Sequence, residues 1–353
     1  MLTMLYIVSS NMAQQDLQKI AQVLRGQNPW WRANLSSGPP LQGLPPKPRF
    51  AFHRLLRTAE GRGRLRGMLL YGPRRTGKTT LVRHCGWDVI TRKGLDPASV
   101  LFADFEHPYL WDADLEALME AHRLLHPERV TKLLLLDEIQ RLPDWDSWLK
   151  VLADHSPDTP FIATGSAAIP LLKGSFESGP GRWEELELPP MLFSEYLAMA
   201  EPRLDAISFS PISLRSVARG EASPKETDLA SAGPPLGQHW RAYLARGGFP
   251  EAAKPQQTVE AAQRVMREEV VARAVGRDLA RAIGWGRVDD VERVFTYLAE
   301  TTVQLINESK VSGALGVKRA TVSSYIGHLV GAGVCWRAGR KAGSKGSMKA
   351  QRK

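Results

Sequence analysis

Cysteine is almost absent: Cys85 and Cys335 are the only two in 353 residues. That is too few for a disulfide framework or a zinc cluster, and it fits a reducing cytoplasm. Long apolar runs are missing as well, since no stretch approaches the ~18 residues that a membrane-spanning helix needs. The first ten residues are partly apolar but lack a basic start and a small-residue cleavage site, so neither export nor a membrane partner is expected. No self-similarity occurs at solenoid or propeller periods. Acidic residues are lacking where basic ones gather: residues 337–353 hold seven basic side chains and no acid. Of the formal net charge of +10, this tail accounts for all but +3. It reads as a disordered basic segment, suited either to non-specific nucleic-acid contact or to a linker.

What is present is the balance of an ordinary globular chain of two or three domains, 43% hydrophobic and 24% charged. Residues 16–25 carry apolar side chains at helical spacing (Leu17, Ile20, Leu24), and Pro29 stops that helix before Trp30 and Trp31, which need cover. Residues 36–48 are a proline-rich connector. Short apolar runs follow at 67–71, 99–103, 132–136 and 161–164, separated by stretches such as 112–125 with helical spacing. Alternating strands and helices predict an α/β fold with a parallel sheet. From 201 to 238 the composition is irregular and reads as a long loop or insertion, with order returning at Trp240. These shifts divide the chain into an N-terminal helix and connector (1–48), an α/β core (49–198), an insertion and helical segment (199–287), a helical module (288–338) and the tail (339–353).

Gly72, Pro73, Arg74, Arg75, Thr76, Gly77, Lys78 and Thr79 satisfy the pattern G-x-x-x-x-G-K-[ST] between an apolar strand and a helix. Glycines let backbone N–H groups converge on phosphate oxygens, and the helix N-terminus adds its positive dipole end. Lys78 supplies charge to the β- and γ-phosphates, Thr79 a hydroxyl to Mg2+, and Thr80 a hydroxyl to the α-phosphate. Residues 133–136 are four leucines that deliver Asp137 and Glu138 to a strand end, where open α/β sheets place their ligands. Asp137 is the expected Mg2+ ligand, and Glu138 the group that polarises the attacking water. A hydroxyl at the end of the next strand is expected between Lys78 and Glu138, with Ser166 the first choice and Thr164 the second. Arg182 is either an arginine finger or a surface partner of Glu184 or Glu185.

Together these residues resemble a family of prokaryotic AAA+ superfamily ATPases with an AAA domain, a winged helix and a C-terminal restriction-endonuclease-like domain. The resemblance rests on Asn28-Pro29-Trp30-Trp31, Gly72 to Thr79, Leu136-Asp137-Glu138-Ile139-Gln140 with Pro143 and Trp145, and Thr164-Gly165-Ser166. Gly181-Arg182, the run Leu192-Phe193-Ser194-Glu195-Tyr196-Leu197, and Tyr243-Leu244 with Gly247-Gly248-Phe249-Pro250 continue it. It implies a P-loop NTPase sheet of the ASCE type, in which the acid-bearing strand is not adjacent to the phosphate-loop strand. It further implies a helical lid, ATP and Mg2+ as ligands, assembly into homo-oligomers, and a place for Gly247-Gly248-Phe249-Pro250 where lid meets nucleotide. The family continues into a nuclease-like domain and this chain does not, so a truncated member is expected.

Three helical patterns follow. The first carries Val291, Phe295, Tyr297, Leu298 and Val303, the second spans 308–315, and the third, 318–330, comes after a turn at Gly316. This is a helix-turn-helix pattern, with a wing beginning at 333–337. Its third helix would offer Lys318, Arg319, Thr321, Ser323, Ser324 and His328 to double-stranded DNA, or serve protein contact alone with a partner the sequence does not name. The arginines of the helical segment (Arg264, Arg267, Arg273, Arg277, Arg281, Arg287) read as a solvated face, with phosphate contact the alternative. The leading expectation is an ATPase whose hydrolysis moves lid and winged helix. The alternatives are a nucleotide-gated DNA-binding switch with little turnover and an inactive remnant.

Overall fold

A computed structural model describes residues 16–32, 47–111, 113–156, 158–166, 181–200, 226–254, 257–275, 287–301 and 306–335, the side chains of 226–235 excepted. Most of the expected connector, residues 201–225 of the insertion, Arg277, Arg281, Val303, the wing from Trp336 onward and the basic tail lie outside these residues. The chain divides into two compact units, Met1–Arg273 and Ala274–Lys353.

The first unit is built on five parallel strands: β1 (Gly67–Gly72), β2 (Val100–Asp104), β3 (Leu133–Asp137), β4 (Phe161–Ser166) and β5 (Trp183–Glu187). Their order across the sheet is β2-β3-β4-β1-β5, so β4 separates the phosphate-loop strand from the acid-bearing strand, as the resemblance implies. Because successive side chains point to opposite faces, each apolar run feeds two cores. Leu69, Leu101, Leu134, Leu136 and Ala163 join one, with helix α1 (16–27), α4 (Leu115–Leu125) and α5 (Trp145–His155). Met68, Leu70, Phe102, Leu135 and Ile162 join the other, with α2 (Phe52–Ala59) and α3 (Lys78–Thr91). Cys85 is fully buried in that second core, where burial raises its thiol well above the ordinary range.

Strand β2 is a sheet edge, and the Gln27 to Trp31 turn covers it. Phe102 donates its N–H to Asn28 Oδ1 (2.8 Å), and Asn28 Nδ2 donates to the Phe102 carbonyl (2.8 Å). Gln27 and the backbone of Asp104 make the same reciprocal pair at 2.9 and 3.1 Å. The indole N–H groups of Trp30 and Trp31 both donate to the Val100 carbonyl, at 3.2 and 3.0 Å. Two side-chain amides thus replace the peptide groups of a missing neighbouring strand, which satisfies and blunts the edge. This answers what covers the tryptophans, since Trp30 is only 1% exposed.

Two expectations change. β5, reading Trp-Glu-Glu-Leu-Glu, does not read as an apolar run because this edge strand buries only two of its five residues, Trp183 in one core and Leu186 in the other. Residues 226–238 are not loop but the start of a helix that runs to Arg246 (Glu226–Arg246). Trp240 and Tyr243 of that helix meet Phe193 and Tyr196 of α6 (Phe193–Ala200) edge to face, which anchors its C-terminal half. With Glu226–Arg246 numbered α7, α8 (Val259–Val265) follows and passes into a π-helical turn, Met266–Val271.

The second unit contains α9 (Val288–Glu300), α10 (Glu308–Leu315) and α11 (Arg319–Gly331), each packed on the other two through Val291, Val294, Val311, Val322, Tyr325, Ile326 and Leu329. Gly316 makes the turn between α10 and α11 at φ 68°. The set expected to face a DNA groove is not uniformly outward: Lys318, Arg319 and Ser324 are exposed, but Thr321, Ser323 and His328 are half-buried. Ser323 donates to Glu308 at 3.3 Å, and Arg319 lies 3.9 Å from the same carboxylate. Residues 287–335 carry five basic and five acidic side chains, so the three helices offer no excess of positive charge. No described helix of the chain is long and apolar enough to cross a membrane.

Candidate functional site

At the C-terminal end of β1 the chain turns through residues 72–77 into α3. Gly72 is required by close approach: a Cβ there would lie 2.3 Å from the Leu188 carbonyl oxygen. Gly77 caps the helix at φ 89°, which side-chain-bearing residues rarely adopt. The first N–H groups of α3 have no intrahelical partner and point into the loop. Within the loop, the Thr76 hydroxyl donates to the Pro73 carbonyl (2.9 Å). Lys78, only 5% exposed, donates from Nζ to the carbonyls of Gly72 and Pro73, each at 2.9 Å. Arg75 occupies the left-handed region at φ 61°.

Asp137 ends β3, and both of its carboxylate oxygens are engaged. Thr79 Oγ1 donates to Oδ2 (2.7 Å) and Thr164 Oγ1 donates to Oδ1. Thr164 also accepts the backbone N–H of Glu138 at 3.1 Å. Burial pushes the Asp137 carboxyl up to about 6; the charges of Glu138 and Asp104 add to this, and the two hydroxyl donors pull against it. Glu138 takes a left-handed backbone at φ 54°, and its carboxylate accepts from the side-chain amide of Gln140. Lys78, Thr79, Thr80, Arg74, Arg75 and Glu138 line one cavity of about 360 Å³. Gly77, Thr80 and Pro250 border both this cavity and a more apolar one of about 610 Å³ that contains Phe50, Leu81, Met191 and Met199.

Of the two hydroxyls proposed from sequence, Thr164 touches the acids, while Ser166 is buried beside Gly72 in the β4–β1 register. Arg182 pairs with neither Glu184 nor Glu185. It chelates Asp154 through Nε at 2.9 and 3.0 Å, and Glu184 instead meets Arg54. Arg182 precedes Trp183, which registers with Gly67, so it lies at the opposite end of the sheet from the phosphate loop of its own chain. Five residues of strand separate those ends by about 16 Å.

The structure adds contacts between distant residues that the motifs alone do not reveal. Arg49 donates to the Thr76 and Pro189 carbonyls (2.9 Å each) and makes a two-pronged pair with Glu195 at 3.0 and 2.8 Å. Glu195 also accepts the N–H groups of Phe50 and Leu192. Its sequence signals are the run Leu192 to Leu197 that contains it and its place three residues beyond Leu192, where a helix-capping carboxylate belongs. Gly248 brings the segment after α7 against the core, its carbonyl accepting the Met191 N–H at 2.5 Å, and Pro250 then stands 3.6 Å from where a Cβ of Gly77 would be.

With this geometry in view, comparison with known proteins gives matches to two family models over separate parts of the chain. Residues 237–351 match a domain of unknown function (DUF8612). An uncharacterized protein of Haemophilus influenzae is 25% identical over 76% of this chain and 61% of its own length. One of Mycobacterium tuberculosis is 27% identical over 75% of this chain and 48% of its own. The chain therefore spans only about half to three fifths of those relatives. Among solved structures, the Holliday junction branch migration motor RuvB of Thermotoga maritima aligns over 85% of this chain and 91% of its own at 18% identity, TM-score 0.32. The Walker-type ATPase PABY2304 of Pyrococcus abyssi aligns over 81% and 92% at 14% identity, TM-score 0.40. Residues 66–197, which hold all five strands, the phosphate loop and both acids, match the family of the AAA domain.

Proposed function

We propose that the chain binds ATP with Mg2+ at the end of β1 and β3 and hydrolyses it. The observation that carries this reading is the Thr79–Asp137–Thr164 chain of hydroxyl and carboxylate, which joins the start of α3 to the end of β3 across β4. A buried carboxylate beside a threonine hydroxyl is a set of hard oxygen donors, which suits Mg2+, most of whose remaining ligands are water and phosphate oxygens. When bound, the ion supplies positive charge at the β- and γ-phosphates.

In this reading the N–H groups from Gly72 to Thr80 cradle the phosphates. Lys78 turns from the Gly72 and Pro73 carbonyls to the phosphate oxygens. Glu138, held by Gln140 and by its N–H bond to Thr164, orients the attacking water, with Ser166 beside it. The triphosphate occupies the polar cavity and the base the apolar one across Gly77. Residues 247–254 and 257–273 act as a lid over the nucleotide, with Pro250 and Glu251 bordering both cavities. Arg182 acts on phosphate only in the site of a second copy.

The test is steady-state ATP hydrolysis together with direct nucleotide binding. Glu138→Gln should retain ATP binding while kcat falls by about 10²- to 10⁴-fold, the range of a lost general base. Lys78→Ala should lose ATP affinity itself. Hydrolysis by Glu138→Gln at the wild-type rate removes Glu138 from this role.

A further inference from the structure

Four carboxylates line the cavity assigned to the triphosphate: Glu106, Glu138, Glu251 and Glu269. Carboxylates repel a polyanionic ligand unless their charge is engaged. Glu138 has its proposed chemical task, Glu251 pairs with Lys254 at 2.8 Å, and Glu106 stands 3.7 and 3.8 Å from Arg74 and Arg141. Glu269 is the most closely held by arginine. Its Oε2 lies 2.8 Å from Arg75 Nη2 and 2.9 Å from Arg273 Nη2, and both arginines line the same cavity.

The two partners belong to different parts of the fold. Arg75 sits on the phosphate loop in a left-handed backbone, whereas Glu269 and Arg273 follow α8 on and just after the π-helical turn. A single π turn inside a helix recurs at functional sites. The pairing is also weakly built: the side chains of Arg75, Glu269 and Arg273 are 40%, 26% and 43% exposed, against 9% and 13% for Arg49 and Glu195. Ion pairs as exposed as this contribute little net stability, so phosphate oxygens can take their place.

We infer that Glu269 is an electrostatic latch: it ties the helical segment 259–273 to the phosphate loop through Arg75, holds Arg273 of its own segment at the same carboxylate, and surrenders both arginines to the phosphates of a nucleoside triphosphate. This deepens the ATP reading and rests on it. A diphosphate brings less charge and reaches less far, so it displaces Glu269 less completely. The latch therefore couples the number of phosphates to the position of the helical segment.

The experiment is titration of the full chain with fluorescently labelled ATP and ADP in Mg2+, for the wild type, Glu269→Gln, Glu269→Asp, Arg75→Gln and the Glu269→Gln/Arg75→Gln pair. Glu269→Gln should tighten ATP by about fivefold or more, the lower range of coupling between sites, and tighten ADP by less. Glu269→Asp, too short to span both arginines, should move the same way by a smaller factor. The gain should largely vanish in the Arg75→Gln background, because the two residues act as one unit. Unchanged affinities in Glu269→Gln, or equal tightening of ATP and ADP, overturn the latch and leave nucleotide binding standing. A wild-type chain that binds neither nucleotide overturns the ATP reading itself, and the latch with it.

Discussion

The outer edge of β2 and the C-terminal end of the same sheet are both dense polar networks, yet they are built in opposite ways. At the edge, neutral amides from Gln27 and Asn28 meet neutral peptide groups, and Asn28 is wholly buried. At the phosphate end, Lys78, Arg74, Arg75, Asp137 and Glu138 crowd together, and Arg75 and Glu138 hold left-handed backbones that cost about 1–3 kcal/mol each. A network whose partners are all internal can only lose by rearranging. One whose charges oppose burial is poised to gain from an external partner.

Substitutions should therefore change stability with opposite sign in the two regions. Asn28→Ala strips the Phe102 N–H and carbonyl of their partner inside a closed core, and should cost about 2–4 kcal/mol in urea unfolding. A loss under about 0.5 kcal/mol would mean that the edge is paired in some other way. Asp137→Asn should do the reverse. The carboxyl is raised from 3.8 to about 6 by burial, so the unfolded chain sheds this proton more readily than the folded one. The stability carried by the neutral form is complete below about pH 4 and lost as pH rises through 6. Without Mg2+ at pH 7.5, Asp137→Asn should be the more stable protein by about 1–3 kcal/mol, and the gain should fade below pH 4. A destabilised Asp137→Asn at pH 7.5 would abolish the contrast. The smallest effect belongs to the far end of β5, where the Arg182–Asp154 pair is exposed. Asp154→Ala should leave the melting temperature unmoved, and a clear drop would show that polar contacts stabilise this fold even where water reaches them.

How much of this was legible beforehand follows from the distance over which each feature is encoded. The phosphate loop is contiguous, and its strand and helix flank it, so eight residues announce it. β1 to β4 are legible because strands buried on both faces read as apolar runs. β5 is not, since only Trp183 and Leu186 are buried, one on each face of the sheet. Sequence ranks Ser166 ahead of Thr164, both being hydroxyls at one strand end; the structure reverses the order at the acid, setting Thr164 on Asp137 and Ser166 beside Gly72. Arg49 with Glu195 and Arg75 with Glu269 are 146 and 194 residues apart, and neither pair has a local pattern. The third helix of the second unit is legible from its apolar spacing, but which of its polar residues face outward is not, because Glu308 draws in Ser323.

Short-range chemistry was determined by the sequence alone: where glycine must stand, which runs are apolar enough to be strands, and which strand ends carry acids. The tertiary structure alone decided which of these groups meet. It set β4 between the loop strand and the acid strand, gave Thr164 both Asp137 and the Glu138 N–H, sent Arg182 to the far end of the sheet, and put Glu269 on Arg75. The physical reason is that backbone preference and hydrophobicity act within a few residues, whereas hydrogen bonds and ion pairs act across space once the sheet order has fixed which residues are neighbours.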